Sequence, residues 1–512
     1  MIWKVTILVL YLIALAAIGV IASRKVDDIS DYFVGGKKLG YWLVSFSSRA
    51  TGESGWLLLG LTGMGYLIGA QAFWIVMGEM FGVTVCWVVM TQRFKALTDR
   101  YDSITIPDYL ESRFGNVGHA LRIVSAVVLA VFVTAYVSAQ FNAAGKAFEG
   151  FLDIPYQWGV VLGLVVVAFY SVAGGFVAVA WSDLLQGVLM LLGLVVVPVA
   201  GLIAVGGVDA LGVKLGAIDP NLLSVFGEGG ANARNVVGAL GSLAIGWAYL
   251  GSPQLFVRFI SIADQKEIPR GALVAVAYTA LVGLGAVVTG MCGRVLLGSL
   301  ADHELVLPEL SEALLPTFAV GFLVAIVLAA IMSTADSLLV LAASALVRDL
   351  YQKVFRPKTP DVALTKASRW MTIALALFAL AFALTESRVV FFFVLFAWAG
   401  IGSAFCPVIF LSLFWRRLTR QGALAAMITG FAVTIFWKLA PAAWLGQSLI
   451  DTLAPPDKAL GELVAGDLVY EMIPAFVLAT IVAVVVSLLT PEPANAAADL
   501  EATKAEVIDL WS

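Results

Sequence analysis

The sequence is poor in charged residues and in the side chains that build catalytic or metal centres. Aspartate, glutamate, lysine and arginine make up 13% of its 512 residues, about half their share in soluble domains. The two histidines and three cysteines are scattered, without a Cys-x-x-Cys or Cys/His cluster, which argues against a zinc site or a disulfide framework. No set of nucleophile, base and orienting group is apparent. We therefore expect no enzyme activity, no cofactor and no nucleic-acid partner.

Apolar residues dominate the chain instead. They account for 61% of it, and the mean hydropathy is +0.97. A water-soluble fold would have no place for so many apolar side chains, so the lipid bilayer is the expected solvent. Hydrocarbon leaves backbone groups without water, which restricts spanning structures to helices and closed barrels. Runs of about 20 apolar residues are typical of helices, so the sequence predicts an all-α polytopic membrane protein.

Thirteen apolar segments predict about thirteen transmembrane helices. The first is interpreted as a retained helix rather than a signal peptide, because it is long and ends in Arg24 and Lys25 without a cleavage pattern. Breaks are expected within the second and the ninth segments. The segments lie near residues 4–23, 40–66, 70–92, 119–147, 156–175, 179–205, 234–259, 270–294, 312–347, 367–386, 389–415, 422–439 and 468–489.

Basic residues suggest the orientation of the chain. They fall mainly in loops that would face the cytoplasm if the N-terminus lies outside and the C-terminus inside. This assignment places Arg258 in an inward loop and Lys146 in an outward one. We expect a multi-pass protein of a bacterial inner membrane, with a short polar cytoplasmic tail at residues 491–512. The outer loops near 206–233 and 440–467 are expected to be ordered caps or short helices.

The second segment carries polar residues where hydrocarbon is expected. Residues 47–56 read SSRATGESGW, with two opposite charges among glycines and hydroxyls. Glycine and serine weaken a helix, and an unwound turn would free carbonyl oxygens for an ion and a solute. The alternative is that Arg49 and Glu53, four residues apart, form an intrahelical salt bridge that faces water.

The ninth segment contains AIMSTADS at residues 330–337. Sodium is a hard cation that prefers several oxygen ligands. The adjacent hydroxyls of Ser333 and Thr334, with a carbonyl one turn earlier, would present such ligands on one face. The alternative is that both hydroxyls bond to carbonyls of their own helix.

Other polar groups occur near segment ends and at depth. Asp183, at the start of the sixth segment, is either an interfacial helix cap or a second cation ligand. Several aromatic residues with polar atoms would together line a pocket for a small amphipathic solute, and a proline is expected to kink the seventh segment. These residues are Trp56, Tyr136, Trp247, Tyr249 and Pro253.

Six ordered motifs carry a resemblance to a known family. They are SGWLLLGLTG (54–63), ITIPDYLESRF (104–114), GGFVAVAWSD (174–183), LAAIMST (328–334), FAWAGIGSAFCPV (396–408) and RRLTRQGALAAMITG (416–430). Over residues 5–490 the chain resembles the sodium:solute symporter family, and within it the bacterial sodium/proline symporters. The resemblance implies a LeuT-like core of two inverted five-helix repeats, each with a broken first helix. The repeats would cover about 40–205 and 234–415, followed by last helices at about 422–489, within a membrane domain of residues 1–490.

The resemblance also implies a set of binding residues. A principal sodium site would use the carbonyls of Ala50, Glu53 and Ala330 with the hydroxyls of Ser333 and Thr334. A possible second sodium site would use Asp183, Ser333, Asp336 and Ser337. Substrate-lining positions match Trp56, Tyr136, Tyr249 and Pro253, with Trp247 and Arg49 nearby. Gly52 stands where the proline symporters carry an aspartate, and Glu53 follows it.

These observations predict a sodium-coupled symporter that imports a small solute by alternating access. Proline or a similar carboxylate-bearing amino acid is the expected substrate, and Arg49 either pairs with Glu53 or holds the substrate carboxylate. No obligate protein partner is expected. Two alternatives remain: a transporter-like membrane sensor, and a proton-coupled symporter that uses Glu53, Asp183 or Asp336.

Overall fold

The computed structural model describes residues 2–23, 34–115, 118–384, 390–439, 469–493 and 496–507. The predicted outer loop at 440–467 and the end of the tail lie outside the described residues. Residues 24–25, 386, 389 and 468, at the ends of predicted segments, lie outside them as well. Within the described part, the regular structure is helical apart from an isolated bridge between Leu39 and Ile262.

The described residues form nineteen α-helices, numbered in chain order. They are α1 (Ile2–Ser23), α2 (Tyr41–Gly55), α3 (Thr62–Ile68), α4 (Phe73–Thr84), α5 (Thr91–Arg100), α6 (Ile106–Phe114), α7 (Ala120–Leu152), α8 (Tyr156–Val205), α9 (Val208–Ile218), α10 (Ala233–Ala244), α11 (Pro253–Ile260), α12 (Ile268–Leu296), α13 (Val306–Leu314), α14 (Thr317–Ser344), α15 (Asp361–Ala383), α16 (Val390–Phe414), α17 (Arg420–Leu439), α18 (Met472–Leu489) and α19 (Ala496–Glu506).

Ten helical stretches of the described part are long and apolar enough to cross a membrane. One of them, Tyr41–Arg100, contains two of the predicted segments, and Tyr156–Val167 is a further shorter apolar helix. The all-helical membrane architecture is therefore confirmed, whereas the count of thirteen stays a prediction. The predicted ordered cap at 206–233 is confirmed by α9 and the short 3-10 helix Pro220–Leu223.

The helix of the second segment is broken where its glycines and serines predict. Ser54, at the end of α2, has φ 40° and ψ −172°, and a π-helical turn (Trp56–Leu61) connects α2 to α3. Such a conformation is rare for a residue with a side chain. The Gly55 amide donates to Gln140 Oε1 at 3.0 Å, because the break leaves it without a carbonyl partner in its own helix.

Three further interruptions shape the bundle. The seventh segment consists of α10, a 3-10 stretch (Ile245–Leu250) and α11, and Pro253 begins α11, where its missing N–H costs nothing. The fifth and sixth segments form the single element α8, bent at Gly175 (φ 60°, ψ −168°). The break expected within 312–347 is present at residues 315–316, between α13 and α14.

The centre of the bundle is formed by α14 and α16. In the most apolar 18-residue stretch of each of these two spans, 83% of the residues are buried, whereas only 28% are buried in the corresponding stretches of α1, α15 and α18. We infer that these three helices lie at the lipid-facing periphery. Close helix contacts depend on glycine: a Cβ on Gly290 of α12 would lie 2.0 Å from the carbonyl oxygen of Thr62 in α3.

Candidate functional site

The broken end of α2 and the middle of α14 meet inside the bundle. Ser333 donates from its hydroxyl to the carbonyl of Ala50 at 2.9 Å and to that of Ala330 at 3.1 Å. Thr334 donates to the carbonyl of Thr51 at 2.9 Å. The Ser333 hydroxyl thus bonds both within its own helix and across to α2, whereas that of Thr334 reaches α2. Four of the five residues predicted for the principal sodium site are therefore brought together.

The fifth residue of that set has a different local partner. The carbonyl of Glu53 accepts the amide N–H of Trp56, so its oxygen takes part in the turn that follows the break. The carbonyl of Thr51 contacts Thr334 instead, and it was absent from the predicted set. The five-residue sodium site accordingly stays a prediction, with Thr51 as an additional oxygen at the same place.

A second polar cluster lies one turn further along α14. Asp183 is fully buried, and its Oδ2 accepts from Ser47 at 2.6 Å and from Arg258 Nη2 at 2.8 Å. The same nitrogen of Arg258 donates to Ser337 Oγ at 2.7 Å. Asp183 is therefore not an interfacial helix cap. Asp336 is also buried, and its Oδ1 accepts the Ser337 amide at 2.5 Å.

Two of the basic residues assigned to loops from the sequence are almost completely buried and paired with buried acids. Arg258 is 2% exposed and forms a salt bridge with Asp183. Lys146 is 2% exposed and lies 2.7 Å from Asp302 and 2.5 Å from Glu304. The loop assignment was wrong for both. Each residue lies at the end of an apolar run, and the carboxylate that pairs with it lies 75 residues away for Arg258 and 158 residues away for Lys146.

A third cluster is centred on Arg49, which is 2% exposed. Its Nη2 contacts Oε1 of Glu53 and lies 2.7 Å from Oε1 of Glu79 on α4. The hydroxyl of Tyr249 also donates to Glu79, and its ring centre lies 5.0 Å from the guanidinium carbon. The intrahelical salt bridge considered above is thus present, but it is buried rather than facing water. It is part of a cluster with two carboxylates for one guanidinium.

Gly52 explains how this cluster fits around the break. A Cβ at Gly52 would lie 3.3 Å from Cε1 of Tyr249 and 3.6 Å from Nη1 of Arg49. An aspartate at that position would project into the space between these two side chains. The carboxylates of this chain reach the arginine from Glu53 and Glu79 instead.

The aromatic residues predicted to line a pocket separate into two groups. Trp56 donates from Nε1 to the Gly52 carbonyl at 3.1 Å. Tyr136 and Tyr249 both pack edge-on to Trp398, with ring centres 6.4 and 5.0 Å from it. Trp247 is half-buried and packs on Phe476 of α18 at 5.3 Å. Pro253 is buried at the start of α11.

Sequence reasoning missed three residues of these clusters. Glu79 is an isolated acid within an apolar segment, which is a signal that could have found it. Trp398 lies in the motif at residues 396–408, but nothing in its spacing shows that it contacts both Tyr136 and Tyr249. Arg258 required the tertiary structure, since its partner Asp183 is 75 residues away in sequence.

Comparisons with known proteins agree with this architecture. Residues 32–430 match the sequence model of the sodium:solute symporter family. The osmoregulated proline transporter OpuE of Bacillus subtilis is 35% identical over 492 residues, which is 95% of each chain. The high-affinity proline transporter PutP of the same organism is 35% identical over 487 residues, 94% of this chain and 97% of its own. A sodium/proline symporter of Staphylococcus aureus is 31% identical over 500 residues, 96% and 94% of the two chains.

Solved structures share the fold at low sequence identity. A Na⁺-coupled sialic acid symporter in a substrate-bound outward-open state superposes with a TM-score of 0.75 at 17% identity, covering 96% of this chain and 98% of the other. MhsT in complex with L-phenylalanine superposes with a TM-score of 0.52 at 14% identity, covering 88% and 97%. The predicted LeuT-like helical fold is confirmed by these likenesses.

Proposed function

Because this chain belongs to the sodium:solute symporter family, we propose that it imports proline, or a closely related amino acid, by sodium-coupled alternating access. The names of its relatives support the substrate, since OpuE and PutP are proline transporters and the staphylococcal relative is a sodium/proline symporter. The observation that carries the mechanism is the Ser333 hydroxyl, which contacts the carbonyls of both Ala50 and Ala330.

The sodium ion would enter where these hydroxyl and carbonyl oxygens converge. In a sodium-bound state, the hydroxyls of Ser333 and Thr334 turn their lone pairs to the ion, and the carbonyls of Ala50 and Ala330 complete the set. The ion then links the broken helix α2 to α14. When the two helices separate, the ligands are divided between them and sodium is released. One charge crossing about 100 mV supplies about 2.3 kcal/mol to this cycle.

The Arg49 cluster supports recognition of a zwitterion. The cluster holds one guanidinium and two carboxylates, Glu53 and Glu79, so it presents both signs of charge to a ligand. The carboxylate of the solute would bind Arg49 through two parallel hydrogen bonds. The cationic nitrogen of the solute would then pair with the glutamate that Arg49 releases. Trp56, Tyr136 and Tyr249 would contact the apolar part of the solute.

The excess carboxylate also favours one alternative. With a single guanidinium between Glu53 and Glu79, a proton on one of them would balance the charge as well as a solute cation does. A proton-coupled symporter is therefore the second candidate. Uptake that persists without sodium and collapses with a protonophore would identify it.

We propose the same membrane placement that the charges predict. The chain would lie in the lipid bilayer of a bacterial inner membrane, with its N-terminus outside, its C-terminal tail in the cytoplasm and no obligate protein partner. The membrane domain would comprise residues 1–490, with inverted repeats at about 40–205 and 234–415. When Arg258 is removed from the inward loops and Lys146 from the outward loops, the inward loops still carry more basic residues. Accessibility of single cysteines placed near residues 3 and 505 to an impermeant thiol reagent would test this orientation.

The deciding experiment is uptake of radiolabelled L-proline by proteoliposomes. An inward sodium gradient should drive accumulation, and an equal potassium gradient should not. No accumulation under either gradient would reject proline as the substrate. Accumulation independent of sodium would reject sodium coupling.

A further inference from the structure

Arg258 contacts Asp183 and Ser337, two of the four side chains predicted to bind a second sodium ion. Its Nη2 is 2.8 Å from Asp183 Oδ2 and 2.7 Å from Ser337 Oγ. Its Nε donates to Ser47 Oγ at 2.7 Å, and that hydroxyl donates to the same oxygen of Asp183 at 2.6 Å. A guanidinium and a sodium ion at this place would repel each other at short range, so the two cations compete for Asp183.

Asp183 requires a cation at this position. The side chain is fully buried, and its Oδ1 has no hydrogen-bond partner in the described part of the structure. A buried carboxylate that loses its only strong counter-charge is strongly destabilising. If Arg258 moves away, a sodium ion or a proton must therefore neutralise Asp183. Sodium fits the oxygens that remain. They are the Asp183 carboxylate, the hydroxyls of Ser47, Thr51 and Ser337, and the Ser333 carbonyl that Ser337 contacts at 2.7 Å.

The backbone around Arg258 offers the means to withdraw it. The residue lies on α11, a helix of eight residues that begins just after the interruption of the seventh segment. Asp183 lies beyond the bend of α8 at Gly175. Short elements next to such interruptions are the usual sites of hinge motion. Arg258 and Ser337 also line a cavity whose wall includes Phe176 of α8 and residues 104–106 before and at the start of α6.

We propose that Arg258 is a tethered cation that occupies the second sodium position when sodium is absent, and that sodium displaces it on binding to Asp183. The inference rests on the sodium-coupled function proposed above. In this cycle, Arg258 neutralises Asp183 while the empty carrier returns. Arg258 also lowers the affinity of the site for sodium, which assists release.

Binding of ²²Na⁺ to the purified protein in detergent tests this without any solute. Displacing a guanidinium breaks charge-assisted hydrogen bonds, so Arg258→Gln should tighten the apparent sodium affinity of the second site by roughly tenfold or more. Arg93→Gln is the matched control, because Arg93 lies over the ring of Phe414 at 4.8 Å, away from this cluster. Unchanged or weaker sodium binding in folded Arg258→Gln would overturn the proposal. Absence of any sodium binding to the wild-type protein would instead overturn the proposed function.

Transport in proteoliposomes provides the second readout. Exchange of internal for external solute with sodium on both sides does not require return of the empty carrier, whereas net uptake does. The ratio of net uptake to exchange should fall roughly tenfold or more in Arg258→Gln, and Arg258→Lys should restore it. Equal loss of both activities in a folded Arg258→Gln protein would show a merely structural role.

A double variant keeps the test decisive if Arg258→Gln does not fold. Asp183→Asn combined with Arg258→Gln removes both charges, so neither residue is left unpaired. We expect it to bind one sodium ion fewer than the wild type and to regain the ratio of net uptake to exchange. An unchanged number of bound sodium ions in this variant would refute the proposal.

Discussion

Removal of the two hydroxyls on α14 is the most direct test of the principal sodium site. Ser333→Ala and Thr334→Ala delete the groups that contact the carbonyls of Ala50, Ala330 and Thr51 at 2.9–3.1 Å. Both side chains are fully buried, and alanine fits each position without a clash because it is smaller. The substitutions therefore remove oxygen ligands and leave the backbone carbonyls in place.

The expected magnitude follows from the strength of a contact between a hydroxyl and a charged group. Such a contact contributes about 1.5–3 kcal/mol, and each 1.4 kcal/mol corresponds to a factor of about ten. We expect the half-saturating sodium concentration to rise about tenfold in Ser333→Ala and about a hundredfold in the double variant. By linkage, the solute affinity at limiting sodium should fall by the same factor.

The assay is the sodium dependence of solute uptake, with thermal unfolding measured in the absence of sodium. The hydroxyl–carbonyl bonds contribute only about 0.5–1.5 kcal/mol each to stability, so the double variant should remain folded. Thr289→Ala is the matched control, because the Thr289 hydroxyl is buried and bonds to the carbonyl of Gly285 in its own helix at 2.8 Å. A double variant with wild-type sodium dependence would refute the assignment of Ser333 and Thr334.

Two further predictions concern packing and charge. Gly290→Ala should lower the free energy of unfolding by about 1–3 kcal/mol, since its Cβ would lie 2.0 Å from the Thr62 carbonyl oxygen. Gly238→Ala on α10 is the control, because its Cβ would have nothing within 4 Å, and it should not lower the stability in the same thermal-unfolding measurement. Glu79→Gln removes one of the two carboxylates on Arg49, and with it a partner proposed for the cationic nitrogen of the solute. The half-saturating solute concentration should therefore rise about tenfold, on the scale of one charge-assisted hydrogen bond. An unchanged value in uptake assays would exclude Glu79 from solute binding.

Much of the architecture could be predicted because the bilayer leaves few alternatives. Long apolar runs must be helical when no water is available to the backbone. The break at Ser54 was predictable because SSRATGESGW combines weak helix formers with charge in one short stretch. The count of spans was harder, because α8 runs through two predicted segments with a bend at Gly175 rather than a loop.

The polar clusters show the limit of reasoning from local sequence. Arg258 was assigned to a loop because it lies at the end of an apolar run, yet it is buried against Asp183. Glu79 and Trp398 belong to segments that otherwise consist of apolar residues, and nothing beside them in sequence indicates their partners. Each partner comes from another helix, so only the packing of helices shows which charges compensate one another.

The sequence by itself determined that this chain is a polytopic helical membrane protein of the sodium:solute symporter type, and it located the two stretches that meet at the proposed principal sodium site. Composition and short motifs suffice for this, because the helix and its breaks depend on near neighbours along the chain. The tertiary structure alone decided that Glu79 joins the pair of Arg49 and Glu53, and that Arg258 pairs with Asp183. Burial makes an uncompensated charge strongly unfavourable, and these two compensating carboxylates lie 30 and 75 residues away from their arginines along the chain.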